Sequence, residues 1–334
     1  MSEGHFGRAA FLPGSLPVAA GRALPSRRRS QDLGDRIFAF CAYFAGLFVL
    51  VLLGSIIVLL FIGGLPAFRA FGFHFLVSPE WNPVTERFGA LVSIYGTVAS
   101  SLLALLLAVP LAFGVAFFLT ELAPAWMRRP VGTAIELLAA VPSIIYGMWG
   151  FFILAPAIGH TVKPWLASTL GQLPGVSGIF RGAPGDASIF TAAVVLAVMI
   201  TPFIAATMRD VFLSVPVIFK ESAFGLGCTP WEVMARVVLP YTRTSVVGDV
   251  MLGLGRALGE TMAVTFVIGN TNRISPNLFA PGNTIASLVA LEFPEAEGGS
   301  LQLSSLLALG FILFVISFVV LAISRTLLVQ RVRQ

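Results

Sequence analysis

Charge is scarce in this sequence. Only 11% of its 334 residues are Asp, Glu, Lys or Arg, against roughly 25% in soluble domains, and the mean hydropathy is +0.92. That deficit excludes an ordinary water-soluble fold and predicts a polytopic membrane protein. Lysine is rarer still: Lys163 and Lys220 are the only two, and neither follows a glycine. A P-loop needs Gly-Lys-Ser or Gly-Lys-Thr to cradle phosphates, so ATP hydrolysis by that route is excluded. The three histidines, His5, His74 and His160, are scattered without metal-ligand spacing, which argues against an intramembrane metalloenzyme. The two cysteines, Cys41 in an apolar run and Cys228 in a polar segment, offer no disulfide framework.

What the sequence has in plenty is apolar length. A helix of ~20 apolar residues crosses a bilayer, and six runs reach or approach that length: 37–62, 91–119, 137–158, 188–208, 246–268 and 306–328. The first exceeds the ~7–15-residue core of a signal peptide and has no small-residue cleavage site after it, so it reads as a retained helix. The predicted fold is all-α, with six transmembrane helices. Pro110, Pro142 and Pro202 fall inside three of the runs, where each removes a backbone donor and bends the helix for packing. No internal repeat of the kind that marks many secondary transporters is present.

Residues 1–35 carry Pro13, Pro17, Pro25 and the triplet Arg27-Arg28-Arg29 with no apolar periodicity, the composition of a disordered basic tail. Residues 36–90 then comprise the first span and an outer loop, and 91–329 a transmembrane core that includes a long inner loop at 209–243. With the tail inside, fifteen of the 21 basic residues lie on inner segments and five on outer ones, with Arg256 within a span. The positive-inside rule therefore places both termini in the cytoplasm.

Arg256 belongs to the stretch "GLGRALGETMAV" of the fifth run. An arginine at the centre of a membrane helix costs ~2.5–3.5 kcal/mol on insertion scales, so something must compensate it. Glu260 is four residues on and Asp249 two turns earlier, which predicts one polar helical face. Two readings follow: a structural ion pair, or an anion path lined by Arg256, and intramembrane charge favours the second. A dinucleotide-binding reading of the glycines fails, since the spacing is incomplete and no strand precedes them. Glu136, near the inner end of the third run, reads as structural, a carboxylate in a first helical turn.

The inner loop contains "KESAFGLGCTPWEVMARVVLP" and predicts two short helices meeting at a turn. Ser214 and Pro216 open the first, and Gly225 and Gly227 end it. Thr229, Pro230 and Glu232 form a capping box with proline in the first turn, and Pro240 closes the second helix before the fifth span. Glu221, Ala223, Gly227, Val237, Leu239 and Pro240 match the "EAA" signature of ABC-importer permeases at every spacing, with Ser222 in place of the usual central alanine. What that resemblance implies is a coupling helix that docks in a groove on a separate ATPase, with Phe224 and Leu226 as apolar anchors and Glu221 at the rim.

From residue 37 onward the chain resembles the PstC-type permeases of bacterial phosphate importers. The resemblance rests on "SIYGTVASSLLALLLAVPLAFGVAFFLTELAP", "VPSIIYGMWGFF", the EAA loop, "GRALGETMAVTFVIGN" and "TIASLVA". Sulfate and molybdate permeases, the alternative oxyanion importers, share Arg-Ala-Leu-Gly-Glu but follow it with an aromatic residue or glycine, where this chain has Thr261-Met262-Ala263. The resemblance implies a MetI-like type I permease fold in the inner membrane. It further implies Arg256 and Glu260 as the charged pair of the path, and a heterodimer with a PstA-type permease. A PstB-type ATPase dimer would bind ATP and magnesium, this chain holding no cofactor. A PstS-type protein would deliver phosphate to the outer segments at 63–90, 159–187 and 270–303. A passive anion channel, the remaining alternative, would have no reason to carry the coupling loop.

Overall fold

The computed structural model describes residues 28–172, 178 and 185–332. The expected basic tail lies outside the described residues through Arg27, as does outer Arg181. The chain divides into two compact units, one ending at Ser55 and one beginning at Ile56. In the first unit the described residues are wholly helical, the beginning of α1 (Arg28–Phe71). Its side chains from residue 34 to 53 are all exposed and mostly apolar, the character of a surface that faces lipid or another membrane chain.

The second unit holds the core. After α1 come α2 (His74–Val77), a two-residue antiparallel pair of β1 (Trp81–Asn82) and β2 (Arg87–Phe88), and then α3 (Leu91–Phe117), α4 (Ala125–Ala139) and α5 (Ser143–Trp149). They are followed by α6 (Ala155–Ala157), α7 (Lys163–Thr169), α8 (Ile189–Leu213), α9 (Val217–Gly225) and α10 (Pro230–Val233). The last four are α11 (Leu239–Leu258), α12 (Met262–Val267), α13 (Ile285–Glu292) and α14 (Leu301–Val332). Small residues explain why α3 and α8 form the centre. Ala104, Ala108, Ala112 and Ala116 recur every fourth position and are fully buried, so the backbones approach closely. Leu196, Met199, Ile200, Ile204 and Met208 of α8 belong to the same buried cluster.

A second cluster joins Phe75, Trp81 and Phe88 to Ile285, Leu288, Leu306 and Leu309. There the Trp81 indole donates to Glu292 at 2.8 Å, and Gln302 donates to the same carboxylate at 3.1 Å. Thr284 caps α13 through a box with Ser287, and Thr97 of α3 accepts from the Ile285 amide at 2.9 Å. Lys163, 1% exposed, donates to the carbonyls of Gly185 and Asp186, which satisfies a cation that burial would otherwise penalise.

The expected all-α fold holds, and five of the six expected spans are each met by one helix that is long and apolar enough to cross a membrane. Among the described residues these five are Gly34–Phe71, Leu91–Leu122, Ser143–Thr169, Ile189–Leu213 and Leu301–Ile323. The fifth expected run, 246–268, is not one helix. It breaks between α11 and α12 at Gly259–Thr261, where Glu260 turns its carboxylate onto the Ala263 amide at 3.1 Å and supplies a new helix start. The third run is also interrupted, between Ala140 and Pro142. Pro142 is not inside a helix but flanks the start of α5, as the restriction on the residue before proline favours. Pro110 and Pro202 do lie inside helices.

Candidate translocation and coupling sites

The two interrupted helices meet each other. Gly147 of α5 lies against α12 so closely that a Cβ there would come 2.9 Å from the Ala263 Cα, so only glycine lets the two breaks pack together. Arg256 occupies the last turn of α11, beside this junction. Its guanidinium lies over the Phe203 ring of α8 at 5.3 Å, and one terminal nitrogen donates to the Ala139 carbonyl at 3.4 Å. Ala139 is the last residue of α4, so the cation sits at the negative end of one helix while riding in the last turn of another. Tyr146 donates to the neighbouring Leu138 carbonyl at 2.8 Å, which also accepts from the Val141 amide at 3.3 Å.

This answers what compensates the arginine, and it corrects the expected arrangement. Arg256 and Glu260 do not share a helical face, because the helix ends between them. Among the described residues no ion pair joins them, and Glu260 spends one oxygen capping α12. Asp249 is a buried residue of α11 with one oxygen lacking a partner. Glu136 lies near the C-terminal end of α4 rather than in a first turn, and it is offset by Arg209 at 2.6 Å. Phe203 and the Ala139 carbonyl were hidden in the sequence because they come from other helices. A greasy aromatic and a backbone atom leave no spacing signal.

The candidate coupling segment follows α8. Pro216 rather than Ser214 sets the start of α9; Ser214 closes α8. Gly227 ends the turn at φ +86°, a left-handed conformation that glycine adopts without steric cost. Thr229 Oγ1 accepts from the Glu232 amide at 3.4 Å, while the Thr229 amide donates to Glu232 Oε2 at 2.9 Å, the full capping box. Those bonds, the backbone one first, hold the Glu232 carboxyl below the usual carboxylate range. Pro240 does not close the second helix. It lies in the first turn of α11, and the helix passes into it through a wide π turn, Met234–Val238. Proline has no N–H to return to the carbonyl four residues back, and widening the turn absorbs the defect.

The expected docking residues divide in two. Glu221, Phe224, Leu226 and Gly227 are exposed, Leu226 at 86%. Ala223 is buried in the chain's own core with Val233, Met234 and Val238, and Leu239 is half-buried at the head of α11. Val217, Ile218 and Trp231 add to the exposed apolar surface, more than a water-facing loop needs. Lys220 anchors the segment inward. Its ammonium meets Glu121 at 2.7 Å and the Phe212 carbonyl at 3.2 Å, with the two side chains 14% and 6% exposed. Sequence reading missed this pair, although one of only two lysines falling inside the EAA segment is a signal that could have found it. Trp231 packs edge-on against Phe117 at 5.6 Å.

Residues 108–334 match the family described as the binding-protein-dependent transport system inner membrane component. The phosphate transport system permease protein PstC of Mesorhizobium japonicum is 55% identical over 319 residues, covering 93% of this chain and 97% of its own. The protein of the same name from Pasteurella multocida is 55% identical over 305 residues, covering 91% and 95%. Among solved structures, a chain of a bacterial ABC transporter involved in import of the acidic polysaccharide alginate aligns with a TM-score of 0.55 at 17% identity. That alignment covers 88% of this chain and 99% of the other, a likeness of fold alone. The chain therefore belongs to the binding-protein-dependent transport system inner membrane components, on the branch of the PstC permeases.

Proposed function

We propose that the chain is the permease subunit through which an ATP-driven importer moves inorganic phosphate across a bacterial inner membrane. The observation that carries the reading is the state of Arg256. The Ala139 carbonyl and an aromatic face balance it, and among the described residues no carboxylate is bonded to it, so its full charge remains available to an anion at the junction of two broken helices. Discontinuous helices of this kind form substrate sites in other transporters. The relatives at 55% identity that carry the name of phosphate permeases supply the solute.

In this reading both termini are cytoplasmic and the α9–α10 segment docks on a separate PstB-type ATPase, which binds the ATP and magnesium. Phe224 and Leu226 enter a groove of that partner and Glu221 meets it at the rim. Gly227, Leu239 and Pro240 shape the segment, while Ala223 fastens it to the core. A PstA-type permease completes the pathway, and a PstS-type protein docks on the outer segments. Arg256 offsets the desolvation of a phosphate dianion as it passes, and the nearby Glu260 carboxylate keeps residence short. Weak binding suits a conduit.

Reconstitution with and without the cognate ATPase tests the reading. ATP-dependent accumulation of phosphate, resisted by excess phosphate but not by sulfate or molybdate, is the expected result. Flux that follows the gradient without ATP would indicate a passive channel instead, and competition by sulfate or molybdate would reassign the solute.

A further inference from the structure

One surface of the second unit takes no part in either site. Between α3, α4 and α8 lies a groove of about 670 Å³ walled by Pro110, Gly114, Val115, Ile135, Leu138 and Val198, among others. Its one hydroxyl, Thr201, is already bonded to the Ala197 carbonyl at 2.6 Å, so the wall offers no polar group to a guest. Leu119 lines both this groove and a smaller pocket of about 330 Å³ that contains Arg128, Arg129, Thr133, Glu136 and Arg209. The apolar groove and the basic pocket therefore adjoin at Leu119.

The charges in the basic pocket are unequal in availability. Arg209 is bound by Glu136 at 2.6 Å and by Asp210 at 2.8 Å. Among the described residues Arg128 gives only its Nε, to the Ala123 carbonyl at 2.8 Å, and its terminal nitrogens meet no partner. Among the described residues Arg129 meets no carboxylate. Two cations therefore lack counter-charge, both exposed on the first turns of α4. Trp126, 77% exposed, flanks them, in the manner of aromatic anchors at headgroup level.

We propose that this composite surface binds an anionic phospholipid, its headgroup phosphate on Arg128 and Arg129 and an acyl chain in the groove. The inference rests on the chain lying in a membrane with α4 at the cytoplasmic side, and it is independent of which solute is carried. Basic pockets between membrane helices on that side are suited to acidic headgroups. A free phosphate ion would satisfy the arginines but leave the adjoining groove without an occupant. A phospholipid fills both.

Retained lipid in the complete transporter, purified from membranes containing equal phosphatidylglycerol and phosphatidylcholine, provides the test. Each exposed arginine near an acidic headgroup favours it about fivefold, so the wild type should retain phosphatidylglycerol over phosphatidylcholine by at least about tenfold. Arg128→Gln with Arg129→Gln should erase that preference. Gly114→Phe should lower retention of both lipids, because a Cβ at Gly114 meets nothing within 4 Å and the ring can enter the groove without backbone conflict. A photo-crosslinker in place of Leu138, in the otherwise wild-type complex, should yield lipid adducts. Equal retention of the two lipids by the wild type would overturn the proposal, as would displacement of the lipid by millimolar inorganic phosphate. So would crosslinks to the second permease instead of lipid, which would make the groove a protein interface, and this arm decides even if a variant fails to assemble.

Discussion

Arg256 shows how a membrane interior can hold a cation without neutralising it. A carboxylate partner would cancel the charge, whereas one helix-end carbonyl and a ring face stabilise it and leave it uncancelled, as the proposed anion path requires. Replacing Arg256 with Gln should therefore reduce phosphate uptake by at least tenfold, an order-of-magnitude expectation for loss of a ~1.4 kcal/mol contribution, while complex assembly is kept. Lysine should rescue only partly, because a point charge cannot lie flat on Phe203 as a planar guanidinium does. At Glu260 the two roles separate by substitution: Gln keeps an oxygen for the Ala263 amide, and Ala does not. If capping dominates, uptake by the Gln variant should stay near wild type and that of the Ala variant should fall. Equal loss in both would assign the effect to charge.

At the scale of elements, the α9–α10 segment is where sequence and structure agree most closely, and the reason is locality. The capping box Thr229–Glu232 and the turn at Gly227 are set by residues three or four apart, so their spacing is readable directly. Gly227→Ala should cost about 1–2 kcal/mol, the penalty for a Cβ in the left-handed region, and lower the ATP-driven rate; thermal unfolding of the assembled complex measures the first part. Because Glu232 has a lowered carboxyl pKa in the folded chain, its capping contribution is fully present above the unfolded value of 4.5. It is lost as pH falls through the lower folded value. Hydrogen exchange at the α10 amides, corrected for intrinsic rates, should rise over that acid range in the wild type and show no such rise in Glu232→Gln.

The elements that were misjudged fail for the opposite reason. Apolar runs mark 246–268 as one helix, but the break at Gly259–Thr261 is stabilised by packing against α5 through Gly147, more than a hundred residues away in sequence. The compensation of Arg256 likewise comes from α4 and α8. Periodicity reports which residues share a face only while the helix continues, and nothing in the local pattern of the fifth run announces where it stops.

Over the whole molecule, the nearly buried Lys220–Glu121 pair links α9 to the central helices. Breaking such a pair by removing one partner typically costs ~3–5 kcal/mol, so Lys220→Glu or Glu121→Lys alone should depress ATP-driven uptake and lower the melting temperature. The double exchange should recover a large part of both. Failure of the exchange to recover either would show that position, not charge, is what matters there. The same lysine also grips the end of α8 through the Phe212 carbonyl. That grip has a consequence for the alanine row of α3. Alanines repeating every fourth residue offer α8 a rack of nearly equal notches, and a slide by one turn, about 5.4 Å, would meet the next notch with similar fit. Such a rack is poor at choosing its own alignment, so the choice falls to the latches at its ends, and the grip of Lys220 on Phe212 is one of them.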